Sequence, residues 1–222
     1  MMRPQTKNKI SLVLILAVFL GPFVAAYLWI KYNDDPRPGH VSSLGQSNYG
    51  KLVLPVRPLD LTGLKDLQGR PLTQRDLAGY WTYVYIDSSQ CDKRCQRNIY
   101  YQRQVRLLQG KEMGRVKALF IVSDTQGLTE LKGHLQNFPV LKVAVLAPEA
   151  AQKFTAQLEV KDPVTGKRSF AERRIYLMDP KGQVMMYYDT NRDLSLDRKL
   201  AKGMVKDLKR LLKINKDVVE KK

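Results

Sequence analysis

The sequence is poor in the residues that bind metals or crosslink a chain, with two cysteines and two histidines among 222 residues. Two cysteines are too few to hold together a disulfide-rich scaffold, and they cannot fill a four-ligand zinc site. His40 and His134 both lie far along the chain from the cysteines, so no zinc-finger spacing exists. Disulfide-stapled miniproteins and zinc fingers are therefore excluded.

Glycine, proline and acidic residues are also scarce. The 14 glycines and 11 prolines, together with 44% hydrophobic residues, exclude collagen-like repeats and wholesale disorder. The length suits one globular domain with appendages. Because 38 basic residues face 21 acidic ones, the formal net charge is +17. A strongly basic chain is typical of nucleic-acid-binding proteins. The membrane topology predicted from the N-terminal segment instead favours anionic lipid and acidic membrane partners. We therefore predict no nucleic-acid partner.

The N-terminal part contains one long uncharged segment, residues 10–30. Its length is about that of a helix crossing the hydrocarbon core of a bilayer, so we predict a single transmembrane helix there. Arg3, Lys7 and Lys9 precede the segment, and the positive-inside rule then places the N-terminus in the cytoplasm. The alternative is a cleaved signal peptide, for which residues 24–26 would be an acceptable cleavage site.

Composition divides the rest of the chain. A segment rich in Pro, Gly, Ser and charge, without periodicity, follows the apolar stretch and is typical of a linker. Strand-like and helix-like stretches then alternate with no internal repeat, which predicts a single α/β domain. The predicted segments are a cytoplasmic N-terminus (1–9), a transmembrane helix (10–30), a linker (31–50), the domain (51–216) and a charged tail (217–222).

Within the domain, apolar and β-branched runs predict strands, and apolar residues at helical spacing predict helices. Strands are expected at residues 81–86, 116–122 and 140–146, followed by a hairpin of 174–178 and 184–189. Helices are expected near residues 92–109, 128–138, 148–158 and 195–214. The last helix is basic and amphipathic, and we expect its apolar stripe to pack on the sheet rather than on a membrane.

The chemistry of the domain is expected at Cys91 and Cys95, which follow the first core strand and open a helix. A thiol at a helix N-terminus faces unpaired backbone N–H groups and the positive end of the helix dipole, which favours the thiolate. Lys93 and Arg94 add cationic charge. The spacing places both cysteines on one helical face, where they can form an intramolecular disulfide. A static disulfide and two incidental thiols are the structural alternatives.

Short tracts spread along the domain point to a known family. They are residues 59–62, 68–73, 76–81 and 84–86, then Cys91 with Cys95, and finally residues 175–182. In these tracts the sequence resembles the membrane-anchored, thioredoxin-like SCO/SenC proteins, which assist cytochrome c oxidase assembly. The resemblance implies a thioredoxin-like domain with a central mixed sheet flanked by helices.

The sequence departs from the copper-carrying members of that family at one ligand position. In those members a histidine stands eight residues before the Asp of an Asp-Pro-x-Gly turn, and the same position here is Ala171. Asp92 and Gln96 replace the prolines that usually accompany the cysteines. Two thiolates alone can hold Cu(I) in near-linear coordination, so Cys91 and Cys95 are candidate Cu(I) ligands, whereas stable Cu(II) binding is not expected.

We therefore predict an assembly factor in the bacterial inner membrane, with its C-terminal domain in the periplasm. It would act on a cytochrome c oxidase subunit or another copper-assembly factor, by thiol–disulfide exchange or Cu(I) handling. Cys91, at the helix start, would attack a partner disulfide. Cys95, expected one turn further in where the dipole is weaker, would resolve the mixed disulfide. The alternative is a non-enzymatic scaffold whose cysteines form a structural disulfide.

Overall fold

The computed structural model describes residues 4–33, 48–136, 138, 140–161, 166, 168–169, 174–190 and 194–219. In the first and last helices, side chains are described at residues 11, 15–29 and 31 and at residues 198–214. The chain forms two compact units, Met1–Ser47 and Asn48–Lys222.

The described part of the first unit is one helix, α1 (Pro4–Asn33), which contains Pro22. It includes all of residues 10–30, where we predicted a transmembrane segment, and it runs on into the predicted linker. Among the described residues, no helix combines the length and the apolar character that crossing a membrane requires. The structure thus confirms a helix over residues 10–30 and does not confirm that this helix spans a membrane.

The second unit is built on a seven-stranded mixed sheet. Its strands are β1 (Lys51–Pro58), β2 (Leu64–Asp66), β3 (Trp81–Asp87), β4 (Val116–Val122), β5 (Leu141–Leu146), β8 (Ile175–Met178) and β9 (Gln183–Tyr188), while β6 (Val160–Lys161) and β7 (Arg168–Ser169) form a separate antiparallel pair. The order across the sheet is β1-β9-β8-β3-β4-β5-β2. β3, β4 and β5 run parallel, and the other neighbours pair antiparallel.

Among the described elements of the second unit, three helices lie in connections between strands, and a fourth follows the last strand. They are α2 (Lys93–Leu107), α3 (Leu128–Leu135), α4 (Ala151–Ala156) and α5 (Leu194–Val219), with 3-10 turns at Gln74–Asp76, Gly110–Arg115 and Pro148–Ala150. The four helices predicted in the domain are therefore present. α5 is longer than expected and extends into the segment predicted as a charged tail.

Each face of the sheet has its own hydrophobic core, because successive side chains of a strand point to opposite faces. In β3, Tyr83 and Tyr85 join the core under α2, α3 and α5, whereas Val84 and Ile86 join the core on the other side, which includes Phe154 of α4. The apolar stripe of α5 is buried in the first of these cores, as predicted.

The central strands agree with the sequence prediction, whereas the two edge strands β1 and β2 were not predicted. β1 contains Pro55 and Pro58, and proline is confined to sheet edges because it lacks an N–H for the strand ladder. Most of its side chains are exposed, so it lacks the continuous apolar pattern of a central strand. β2 has only three residues.

A buried carboxylate on α5 holds the start of the second unit in place. Asp207, 1% exposed, accepts hydrogen bonds from the backbone N–H groups of Tyr49 at 3.0 Å and Gly50 at 2.9 Å. It also accepts one from the Tyr188 hydroxyl at 3.1 Å. A Cβ added at Gly203 would lie 2.5 Å from the Tyr49 side chain, so α5 needs a glycine there. Tyr49 and Gly50, in the predicted linker, are thus held to the domain through their backbone N–H groups, and Gly50 is buried whereas Tyr49 is 51% exposed.

Candidate redox site

A disulfide joins Cys91 and Cys95 at the point where β3 gives way to α2. Their Cα atoms are 5.0 Å apart. Cys91 has a φ of +33°, a region that residues with side chains seldom occupy, and its N–H donates to the Ser88 carbonyl at 3.3 Å. The predicted pairing of the two cysteines is confirmed, and in this state neither sulfur is a thiolate.

Both cysteines are buried. Cys91 is 4% exposed and Cys95 is completely covered, and both belong to the core on the α2 face of the sheet. The side-chain amide of Gln96 donates to the Cys91 carbonyl at 3.1 Å, which ties the cysteine loop to the helix. Of the two cysteines, only Cys91 therefore has any solvent-exposed surface in the disulfide state.

Asp92 caps the first turn of α2. Its carboxylate accepts the backbone N–H groups of Arg94 at 3.0 Å and of Cys95 at 2.9 Å. The expectation that unpaired N–H groups face the Cys91 sulfur is wrong, because an N-cap aspartate takes these donors and adds a negative charge. Cys95 lies within the first turn, since α2 begins at Lys93. The helix dipole therefore acts on both cysteines, not mainly on the first.

A buried polar network lies next to the disulfide helix and was missed in the sequence. The Tyr85 hydroxyl donates to the Asp87 carboxylate at 2.6 Å. The Asn98 amide donates to the Tyr85 oxygen at 3.1 Å and to the Thr190 hydroxyl at 3.0 Å. All four residues are buried, and they tie α2 to β3 and to Thr190, which lies two residues beyond the end of β9. Asn98, on the same buried helical face as Cys95, was the available signal.

The described residues offer copper no complete three-ligand site. No group of three or more His, Cys, Asp or Glu side chains in this part of the chain is placed to hold a metal ion. His134 is exposed on α3, while His40 and Ala171 lie outside the described residues. Cu(I) fits the cysteine pair only after reduction, because thiolates, and not a disulfide, are its soft ligands.

A mixed sheet covered by helices on both faces, with a cysteine pair where the central strand meets a helix, defines a thioredoxin-like domain. The chain belongs to the family described as transmembrane-like, thioredoxin-like, C-terminal domain, whose model matches residues 81–215. This match covers more than half of the chain and includes both cysteines. A comparison with curated proteins finds no match.

Solved SCO/SenC structures share the fold. Apo Sco1 from Thermus thermophilus is 16% identical, covers 73% of this chain and 97% of its own, and has a TM-score of 0.53. A SCO1/SenC family lipoprotein from Bacillus anthracis is 19% identical, with coverage of 72% and 98% and a TM-score of 0.52. Yeast Sco1 with copper bound is 21% identical, with coverage of 76% and 95% and a TM-score of 0.50. The resemblance expected from the sequence is confirmed for the fold.

Proposed function

We propose that this protein assists cytochrome c oxidase assembly by thiol–disulfide exchange at Cys91 and Cys95. The observation that carries the proposal is the disulfide at the start of α2 in a fold shared with SCO/SenC proteins. The two cysteines are four residues apart in the sequence, so their disulfide closes only a short loop. It raises the free energy of the unfolded chain by only about 2 kcal/mol, less than a long-range disulfide does. A bond with so small a structural benefit suits a redox role.

The exchange starts from the reduced pair. The Cys91 thiolate attacks one sulfur of a partner disulfide, and the partner's other sulfur leaves as a thiolate. The Cys95 thiolate then attacks the Cys91 sulfur and releases the second partner sulfur. The protein ends with the Cys91–Cys95 disulfide seen here, and the partner ends with two thiols. Oxidised copper-ligand cysteines of an oxidase subunit are the proposed substrate.

Copper handling is the second part of the proposal. Yeast Sco1 has been solved with copper bound. In this chain the reduced Cys91 and Cys95 supply two soft ligands, and Ala171 has no side-chain donor where the family's copper-carrying members have histidine. We expect one Cu(I) held by two thiolates and no stable Cu(II)–thiolate centre. Anaerobic titration of the wild type and Cys91→Ser with each ion distinguishes these outcomes.

The proposed location is the bacterial inner membrane, with the thioredoxin-like domain in the periplasm. It rests on the uncharged residues 10–30 within α1 and on Arg3, Lys7 and Lys9 before them. No helix in the described part of the chain is both long and apolar enough to cross a membrane. The proposed location therefore needs a direct experiment. A C-terminal reporter active only outside the cytoplasm should be active, and the protein should stay with membranes after alkaline washing.

The second candidate function is a non-enzymatic assembly scaffold with a structural disulfide. The burial of both cysteines favours it, because a disulfide between buried residues is protected from attack. The reduction potential of the pair separates the two functions. Exchange predicts a value in the range of thiol oxidoreductases, whereas a structural bridge predicts a value below about −300 mV.

A further inference from the structure

The helix that carries the disulfide has basic residues and no acidic ones. Between Lys93 and Leu107 the sequence of α2 contains no Asp or Glu. Its basic residues are Lys93, Arg94, Arg97, Arg103 and Arg106. Lys93 and Arg94 lie between the two cysteines in the sequence. The cationic surface therefore begins beside the disulfide.

α5 packs beside α2 and extends the same character. Met204 and Leu208 of α5 share a core with Ile99 and Val105 of α2. Asp207 is buried, so it adds no charge to the outer surface. Apart from Ile214, the described side chains that α5 exposes are all basic: Arg198, Lys199, Lys202, Lys206, Lys209, Arg210 and Lys213. Among the described side chains of α2 and α5, any acidic group is buried. This outer surface of the two helices therefore carries no described acidic side chain.

The acidic residues of the neighbouring loops are engaged in holding those loops. Asp92 caps α2 through its bonds with Arg94 and Cys95. Asp124 accepts hydrogen bonds from the Ser89 hydroxyl and, at 3.2 Å, from the Ser89 N–H. These carboxylates offset part of the local positive charge, while the basic side chains of α2 extend well beyond them along the helix.

The composition of α2 favours a protein partner over a lipid surface. Lys93, Tyr100, Arg103 and Leu107 are exposed at spacings of three, four or seven residues, which places them along one side of the helix. Tyr100 is 47% exposed and Leu107 is 40% exposed. Arg and Tyr are enriched at the centres of protein interfaces, whereas attraction to anionic lipid needs only charge.

We propose that this side of α2 is the docking surface for a protein partner whose disulfide is surrounded by acidic residues. The inference rests on the proposed function and specifies its substrate class. Opposite charges would steer the partner disulfide toward the exposed part of Cys91. The chemical step is the exchange already given, in which two protein thiols become a disulfide and the partner disulfide becomes two thiols.

The test uses the full chain in nonionic detergent, reduced with a phosphine that is then removed. Its substrates are three disulfide-bridged peptides that differ only in flanking Glu, Gln or Lys residues. At low ionic strength the acidic peptide should oxidise the protein on the order of tenfold faster than the basic one, and added salt should reduce this ratio. Lys93→Glu with Arg103→Glu should abolish or invert the ratio. Comparing the peptides within one variant cancels any change in intrinsic thiol reactivity.

The matched control is Lys65→Glu with Lys181→Glu, which makes the same charge change at exposed positions in β2 and in the β8–β9 turn. It should keep the wild-type ratio. Equal rates for the three peptides in the wild type would overturn the docking proposal and leave exchange intact, whereas no reaction with any peptide would overturn the proposed function itself. A third outcome is that the three peptides oxidise the protein at equal rates, and that these rates fall only when the protein is placed in phosphatidylglycerol vesicles. This result would show that the basic surface binds lipid, and it would also overturn the proposal.

Discussion

The carboxylate of Asp92 accepts the backbone N–H of Cys95 at 2.9 Å, so the helix that carries the disulfide begins with a negative charge inside the disulfide loop. The bond satisfies a helix donor that would otherwise be unpaired. The same charge opposes formation of a thiolate on either neighbouring cysteine. Stability of the helix and reactivity of the reduced pair are therefore in conflict at this residue.

Asp92→Asn should increase the reactivity of Cys91. Asparagine also caps helices well, so the substitution removes the charge while keeping the cap. We expect the reduced protein to be alkylated at Cys91 several-fold faster near neutral pH, with the pH–rate profile displaced to lower pH. Lys93→Glu with Arg94→Glu should displace it the opposite way. Unchanged profiles in both variants would show that local charge does not control this thiol.

Asp207→Ala should destabilise the second unit by about 2–4 kcal/mol, because it leaves the N–H groups of Tyr49 and Gly50 and the Tyr188 hydroxyl without their acceptor. Denaturant unfolding measures the loss. The control is Lys202→Ala, an exposed position on the same helix, which should change the free energy of unfolding far less. Equal effects from the two substitutions would refute the role given to the buried carboxylate.

Asp76 should make stability depend on pH in the acid range. Hydrogen bonds from the Thr73 N–H and hydroxyl, and then from Lys142, lower the pKa of Asp76 from 3.8 to about 2. A lowered folded-state pKa stabilises the protein above the unfolded-state pKa, and this contribution is lost as pH falls toward about 2. The advantage of the wild type over Asp76→Asn in free energy of unfolding should therefore shrink between pH 5 and pH 2.

Glu149→Gln removes an exposed carboxylate and serves as the comparison for Asp76→Asn. It should leave the acid dependence of unfolding close to that of the wild type. A constant difference between the wild type and Asp76→Asn over the whole pH range would mean that Asp76 is not stabilised in its charged form.

The parts of the fold that were predictable have strong local patterns. The continuous apolar runs of β3 and β4 and the amphipathic stripe of α5 identify these elements from nearby residues alone. The contact of Tyr49 with Asp207 joins segments at opposite ends of the domain, and no local pattern specifies such a pair. The hydrogen bond from Asn98 to Tyr85 depends in the same way on how α2 packs over the sheet.

At the site, the predicted disulfide is present, but the expected reason for it is wrong: Cys91 precedes the helix, which begins at Lys93, so the two cysteines do not share a helical face. The effect of Asp92 was misjudged, since its identity was visible in the sequence but its role as N-cap depends on where the helix begins. A helix that starts at Lys93 places Asp92 at the cap and Cys95 in the first turn. A shift of one residue in that boundary would take Asp92 out of the cap position, while Cys95 would stay in the first turn.

Trapping the mixed disulfide tests the exchange mechanism most directly. The reduced Cys95→Ser and Cys91→Ser variants are incubated separately with the uncharged disulfide-bridged peptide, and the products are identified by mass spectrometry. The mechanism predicts that Cys95→Ser accumulates one peptide bound through Cys91, whereas Cys91→Ser accumulates little or none. An adduct formed only through Cys95, or no adduct in either variant, would contradict it.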